Sequence, residues 1–252
     1  MIDLSGQNAI VTGGSRGIGA AIAILLAKSG ANVAFTYSHN RKEALKIEQK
    51  INAMGSKAFA SRVSIEKTGE CQKFVRQTLK KFTHIDILVN NAGIWEYGVV
   101  GKMSESEWRR TIDINLTGTF TMCNLLIPIM KRRKYGRIIN ISSTAAQRGE
   151  TFHSHYAASK GGVTAFTKSL AVEVIRDGIW VNCVAPGWVR TDMTSNVWKK
   201  PRIARKVYDQ IPLGRFAEPE EIAGPVLFLV SDLANNIVGE VLNANGGSVL
   251  CG

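Results

Sequence analysis

Long apolar runs are missing from this chain. The longest, "AIAILLA" and "VLFLV", fall far short of the roughly 20 residues that a bilayer span needs. The N-terminus also lacks a charged-then-apolar leader pattern, so a cytoplasmic protein is expected. Cysteine is sparse. Cys71, Cys123, Cys183 and Cys251 are scattered with no C-x-x-C spacing, which argues against a disulfide framework and against a bound metal, and leaves packing as their role. Acids are also short, with 20 Asp plus Glu against 32 Lys plus Arg and a formal charge of +12. The excess is concentrated in "KRRK" at 131–134 and between Lys199 and Lys206, which points to an anionic partner or substrate. Such charge also suits nucleic acid, but no recognition helix, zinc-finger spacing or aromatic-interleaved basic strand accompanies it, and phosphorylated cofactors or acidic carrier proteins account for it equally well.

What is present is a regular alternation. Short β-branched runs recur at 8–12, 32–36, 57–61, 85–89, 136–141, 179–185 and 240–244, separated by helical patterns near 17–29, 41–54, 66–82, 105–134, 155–176 and 219–230. In the first helical stretch Ile18, Ile22, Leu25 and Leu26 recur at the three- and four-residue spacing that buries one stripe against a sheet. Seven strands alternating with helices predict one doubly wound α/β domain, 1–252, with a seven-stranded parallel sheet covered on both faces. No repeat or Pro/Gly/Ser linker interrupts it. The less regular stretch 188–215 is expected to form a cover over the site.

"VTGGSRGIG" at 11–19 joins the first strand to the first helix, where a doubly wound fold binds dinucleotide phosphates. Gly13, Gly17 and Gly19 permit a tight turn, close approach to a pyrophosphate and close helix–strand packing, while the helix N-terminus offers unpaired N–H groups. The spacing is G-x-x-x-G-x-G, and a glycine cluster at such a joint is otherwise simply a tight turn. An acid at the end of the second strand would bond the ribose hydroxyls of NAD. Here "FTYSHNRK" (35–42) carries none before Glu43, and Tyr37 and Ser38 sit with Arg16, and with Arg41 nearby, in surroundings that tolerate a 2′-phosphate. NADP(H) is therefore expected in preference to NAD(H).

"HYAASK" at 155–160 sets Tyr156 and Lys160 one helical turn apart. Alone the pair reads equally as an interfacial tyrosine beside a solvated lysine. An adjacent ammonium would, however, lower a phenol pKa from its ordinary value near 10 by roughly 1–3 units and so make it a proton shuttle. "NISS" (140–143) ends the fifth strand at the carboxyl edge, where Ser142 and Ser143 either serve the cleft or cap a turn. "NNAG" (90–93) ends the fourth strand in the same way. Asn115, between Ile114 and Leu116, has either a buried hydrogen-bonding task or marks a kink.

These motifs in this order resemble the short-chain dehydrogenase/reductase family over essentially the whole chain: "TGGSRGIG", "NNAG", Asn115, Ser143, "YAASK" thirteen residues after Ser143, and "PG" at 186–187 followed by Thr191. The resemblance implies a Rossmann-type domain and an NADP(H)-dependent oxidoreductase. Tyr156 would be the general acid toward a carbonyl oxygen, Ser143 would hold that oxygen, Lys160 would lower the Tyr156 pKa and bind the nicotinamide ribose, and Asn115 would position a linking water. Cofactor contacts would come from Gly13, Ser15, Arg16, Gly17, Ile18, Gly19, Tyr37, Ser38 and Val63, from Asn91, Ala92 and Gly93 beneath the adenosine ribose, and from Pro186, Gly187, Val189 and Thr191 beside the nicotinamide. One departure is Arg62, where the family usually has an Asp that bonds adenine; an arginine cannot accept that bond, and stacks on the adenine or approaches the 2′-phosphate instead.

Within the family the phrases "DILVNNAGI", "YGRIINISS", "GIWVNCVAPG" and "IPLGRFAEPEEIA" look most like bacterial 3-oxoacyl-[acyl-carrier-protein] reductases. That resemblance implies reduction of a 3-oxoacyl thioester, an acidic acyl carrier protein as partner, and a homotetramer. "KRRK" and Arg176 would attract the carrier, or they simply complement a helix dipole. Trp95, His153 and Trp188 would narrow the substrate pocket, although His153 and His155 also read as solvent-facing loop residues. Two alternatives stay open: a reductase of small ketones, secondary alcohols, sugars or steroids, and a nonenzymatic nucleotide-binding protein.

Overall fold

A computed structural model describes residues 2–250. Seven strands form one sheet: β1 Asn8–Val11, β2 Asn32–Tyr37, β3 Ala58–Arg62, β4 Ile87–Asn90, β5 Gly136–Ile141, β6 Ile179–Pro186 and β7 Val241–Ala244. Every pairing is parallel, in the order β3-β2-β1-β4-β5-β6-β7. β1, β4 and β5 are buried along their whole length, as expected for strands with helices on both faces.

The helices are α1 Gly17–Lys28, α2 Arg41–Asn52, α3 Thr68–Phe82, α4 Glu105–Ile112, α5 Gly118–Arg133, α6 Ala145–Arg148, α7 Ser154–Val174, α8 Ser195–Trp198, α9 Pro201–Tyr208 and α10 Pro219–Val230. Their starts follow local chemistry. The Asn40 side chain accepts from the Glu43 N–H before α2, and Ser104 with Glu107 and Glu218 with Glu221 form reciprocal caps before α4 and α10. One core packs α1 and α10 on one face of the sheet around Ile22, Leu26, Val33, Val226 and Leu229. The other packs α3, α5 and α7 on the opposite face around Ile10, Phe74, Leu88, Met122 and Ile138. Cys71, Cys123 and Cys183 are buried and unbridged, and Cys251 lies outside the described residues.

Three departures from the sequence expectations have physical causes. The single helix expected over 105–134 is interrupted by a π-helical turn, Asp113–Thr117, because the Asn115 side chain bonds the Ile94 backbone and draws the chain wide there. The whole stretch Glu105–Arg133 is long and apolar enough to cross a membrane by length and composition, yet it packs on the sheet and on α3 and α7. The segment 188–215 contains two short helices, α8 and α9, whose Val197, Ala204 and Val207 form a small separate core with Ile211 and Phe216.

β1 lies between β2 and β4, so the connections that follow β1 and β4 leave in opposite directions and open a crevice at the carboxyl edge. Leu88 fills the centre of this arrangement. Leu88→Ala is expected to cost about 2–5 kcal/mol of stability, and the 72%-exposed Leu233→Ala within about 0.5 kcal/mol; urea denaturation of both variants checks the contrast.

Candidate active site

The crevice is a cavity of about 350 Å³ lined by the glycine turn, the ends of β2, β4, β5 and β6, and the start of α7. Its floor is cross-tied. The Thr12 hydroxyl accepts from the Asn91 and Ala92 N–H groups at 2.9 and 3.0 Å, the Asn91 amide donates to the Thr12 carbonyl at 2.9 Å, and the Gly13 N–H donates to Thr36 Oγ1 at 3.0 Å. Gly13 has φ +67°, and a Cβ on Gly14 would lie 2.6 Å from the Phe35 side chain. A Cβ on Gly19 would collide with the Gly13 carbonyl and the Asn91 amide. No side chain caps α1, so the N–H groups of its first turn stay available to an anion beside the Arg16 cation. A dinucleotide pyrophosphate fits this cradle by both shape and charge.

Gly13, Ser15, Arg16, Gly17, Ile18, Gly19, Tyr37, Ser38, Val63, Asn91, Ala92, Gly93, Pro186, Gly187, Val189 and Thr191 all line the same cavity. Arg62 does not: it is exposed at the end of β3, and its Nε donates to the Ser38 carbonyl at 3.1 Å. Its bond to the backbone ties the end of β3 to the residue that follows β2. Arg16 faces Asp192 at 3.5 Å across the mouth, with both side chains largely exposed. His39, Asn40 and Glu66 also line the cavity and have no motif that would have marked them in the sequence.

Ser143, Tyr156 and Lys160 meet on the opposite side, where β5 ends and α7 begins. Lys160 is buried, and its ammonium donates to the Ile141 carbonyl at 2.8 Å while lying 5.9 Å from the centroid of the Tyr156 ring. Burial pulls the Lys160 pKa down to about 8, against a smaller upward effect of the neighbouring Cys183 thiol. Tyr156 keeps part of its surface open to the cleft, yet loss of water from the phenolate pushes its pKa up to about 12; a bond with Ser143 opposes this and the Glu150 charge adds to it. The expected lowering of the phenol by Lys160 is therefore corrected: the ammonium is committed to Ile141, and burial dominates.

Asn115 stands behind the wall. It is fully buried, accepts from the Ile94 N–H at 2.8 Å and donates to Ser159 Oγ at 3.0 Å, and Ser159 in turn donates to the Tyr156 carbonyl at 2.7 Å. Asn115 thus ties the loop after β4 to the turn of α7 that carries Tyr156. Ser142 turns away from the cleft chemistry and bonds the Lys160 carbonyl at 2.9 Å.

At the far end, Trp95 stacks on His153 with centroids 4.5 Å apart and meets Trp188 edge-on at 5.9 Å. Its indole donates to Glu150 at 3.1 Å. Burial raises the Glu150 pKa, opposed by His153, Trp95 and Arg148. His155 is buried rather than solvent-facing, and burial lowers its pKa. "KRRK" ends α5, 16 residues or about 24 Å from the start of that helix and at the opposite edge of the sheet from the cleft. Lys131 is paired there with Asp177 at 2.8 Å and Arg133 with Asp86 at 3.6 Å.

Residues 13–248 match the family model described as enoyl-(acyl carrier protein) reductase. The chain is 40% identical over 251 residues to a 3-oxoacyl-[acyl-carrier-protein] reductase of Synechocystis, covering 99% of this chain and 100% of the relative. It is also 40% identical to the 3-oxoacyl-[acyl-carrier-protein] reductase FabG of Aquifex aeolicus, covering 98% of each. Among solved structures, a 7α-hydroxysteroid dehydrogenase complexed with NADH and 7-oxo glycochenodeoxycholic acid superposes with a TM-score of 0.94 at 33% identity, covering 98% of this chain and 96% of that one. A glycine cradle, a serine–tyrosine–lysine set facing it across one crevice, and whole-length relatives of this kind identify the chain as a member of the short-chain dehydrogenase/reductase family.

Proposed function

We propose that this chain is an NADPH-dependent reductase that converts a 3-oxoacyl thioester, presented on an acyl carrier protein, to the 3-hydroxyacyl product. The observation that carries the reading is the opposition of Ser143, Tyr156 and Lys160 to the glycine cradle within one cavity, in a chain 40% identical along its whole length to a reductase of that name. The bound dinucleotide supplies the hydride. Gly13, Gly17, Gly19 and the open first turn of α1 hold its pyrophosphate, and Ser15, Ile18, Asn91, Ala92, Gly93, Pro186, Gly187, Val189 and Thr191 orient the remainder. The NADP(H) preference rests on Arg16, Tyr37 and Ser38, with no acid at the end of β2 to repel a 2′-phosphate.

Tyr156 acts as the general acid. A phenol with a pKa near 12 remains protonated at neutral pH, which is the form that donates to a carbonyl oxygen as it gains charge. Ser143 holds that oxygen, and Lys160 supplies a positive charge beside the phenolate that remains. Asn115 is a positioning residue, holding Tyr156 through Ser159. The segment 188–215 closes over the substrate, and the protein works as a homotetramer in the cytoplasm, as the resemblance implies.

Tyr156→Phe is expected to lower kcat for acetoacetyl thioester reduction by about 10²–10⁴-fold while NADPH still binds, as read by fluorescence titration; equal turnover by the variant contradicts the assignment. The Lys160 ammonium is complete below its pKa and is lost as pH rises through about 8. Reduction is therefore expected to decline above that pH, and a rate flat to pH 10 contradicts the role. NADPH is expected to give a kcat/KM at least tenfold above NADH, and parity removes the 2′-phosphate argument.

A further inference from the structure

Resting on the thioester reading, we infer that Glu150, latched to Trp95, closes the end of the substrate pocket and restricts this enzyme to short 3-oxoacyl groups. Glu150 and Tyr156 line the same cavity, and only 15% of the Glu150 side chain is exposed. The carboxylate has two neighbours: the Trp95 indole donates to it at 3.1 Å and His153 Nδ1 stands 3.9 Å away, while the His153 N–H bonds the Glu150 main-chain carbonyl at 3.1 Å and fixes the loop. His153 Nδ1 is itself committed to the Thr151 carbonyl at 2.9 Å, so Trp95 supplies the one full hydrogen bond to the carboxylate.

Trp95 cannot swing aside easily. Its ring lies nearly parallel to His153, with 6° between planes, and abuts Trp188, which abuts Phe216 at 6.0 Å. The wall beyond the reacting carbonyl is thus a braced pair of indoles with a carboxylate set into it. A carboxylate with one full hydrogen bond depends on the water that the open part of its surface retains. A short acyl tail leaves that water in place, whereas a long apolar tail must either dry the carboxylate or displace the indole.

The test compares kcat/KM for the N-acetylcysteamine thioesters of 3-oxobutanoate and 3-oxooctanoate in the wild type, Glu150→Gln and Glu150→Leu. The wild type is expected to favour the four-carbon substrate at least tenfold. Glu150→Leu is expected to shrink that ratio tenfold or more, and Glu150→Gln, with the same shape and no charge, to shrink it partway. A wild type that reduces the eight-carbon substrate as well as the four-carbon one overturns the inference, as does a ratio in both variants within twofold of the wild type. If the wild type reduces neither thioester but does reduce free ketones, the thioester reading itself fails, and the chain-length restriction falls with it.

Discussion

Burying a charged amine beneath a reaction site is the constraint around which the crevice is organised. Lys160 lies inside the wall, where its ammonium donates to the Ile141 carbonyl. That carbonyl belongs to the last residue of β5, beside the first turns of α7. Water is thin around both Lys160 and Tyr156, so the amine is held near the point of losing its proton and the phenol far from losing its own. The two shifts have opposite sign and one cause, since desolvation disfavours whichever form is charged. At neutral pH the tyrosine is therefore protonated, the form that can donate to a carbonyl oxygen.

The two halves of the crevice are joined by backbone bonds rather than by direct contact between reactive groups. Thr12 fastens the cofactor turn to the loop after β4, and Asn115 fastens that loop to α7. The links are short and polar, and all are buried or partly buried. The π-helical turn at Asp113–Thr117 carries this joining residue, Asn115, which bonds the Ile94 backbone. Small hydroxyl side chains recur at such joints. Ser142 donates to the Lys160 carbonyl, Ser159 to the Tyr156 carbonyl and Thr119 to the Asn115 carbonyl.

The sheet was readable from the sequence because each strand is a short β-branched run, and the period alone separates it from the amphipathic helices between. The glycine turn, "NNAG" and Ser143 follow strand ends that a parallel sheet must bring to one edge, and Tyr156 and Lys160 lie one turn apart on α7. The place of Arg62 depended on geometry: its position in the motif marks the end of β3, but a long side chain can bond the neighbouring backbone, and this one bonds Ser38. Glu150 was invisible because it sits in a loop with no periodicity, and its partner Trp95 lies 55 positions away. The sign of the Tyr156 shift was likewise beyond the sequence. Spacing on a helix puts an ammonium near a phenol, but the depth of both groups and the competing Ile141 carbonyl decide the balance.

Ultraviolet difference titration of the wild type against Tyr156→Phe, followed at the phenolate band, tests the central claim most directly, because the difference isolates one ionisation. Burial predicts no phenolate signal from Tyr156 below about pH 10, consistent with a midpoint near 12. A phenolate appearing between pH 7 and 9 in the cofactor-free protein would contradict the account, because it would mean that the ammonium and not the loss of water controls the acid.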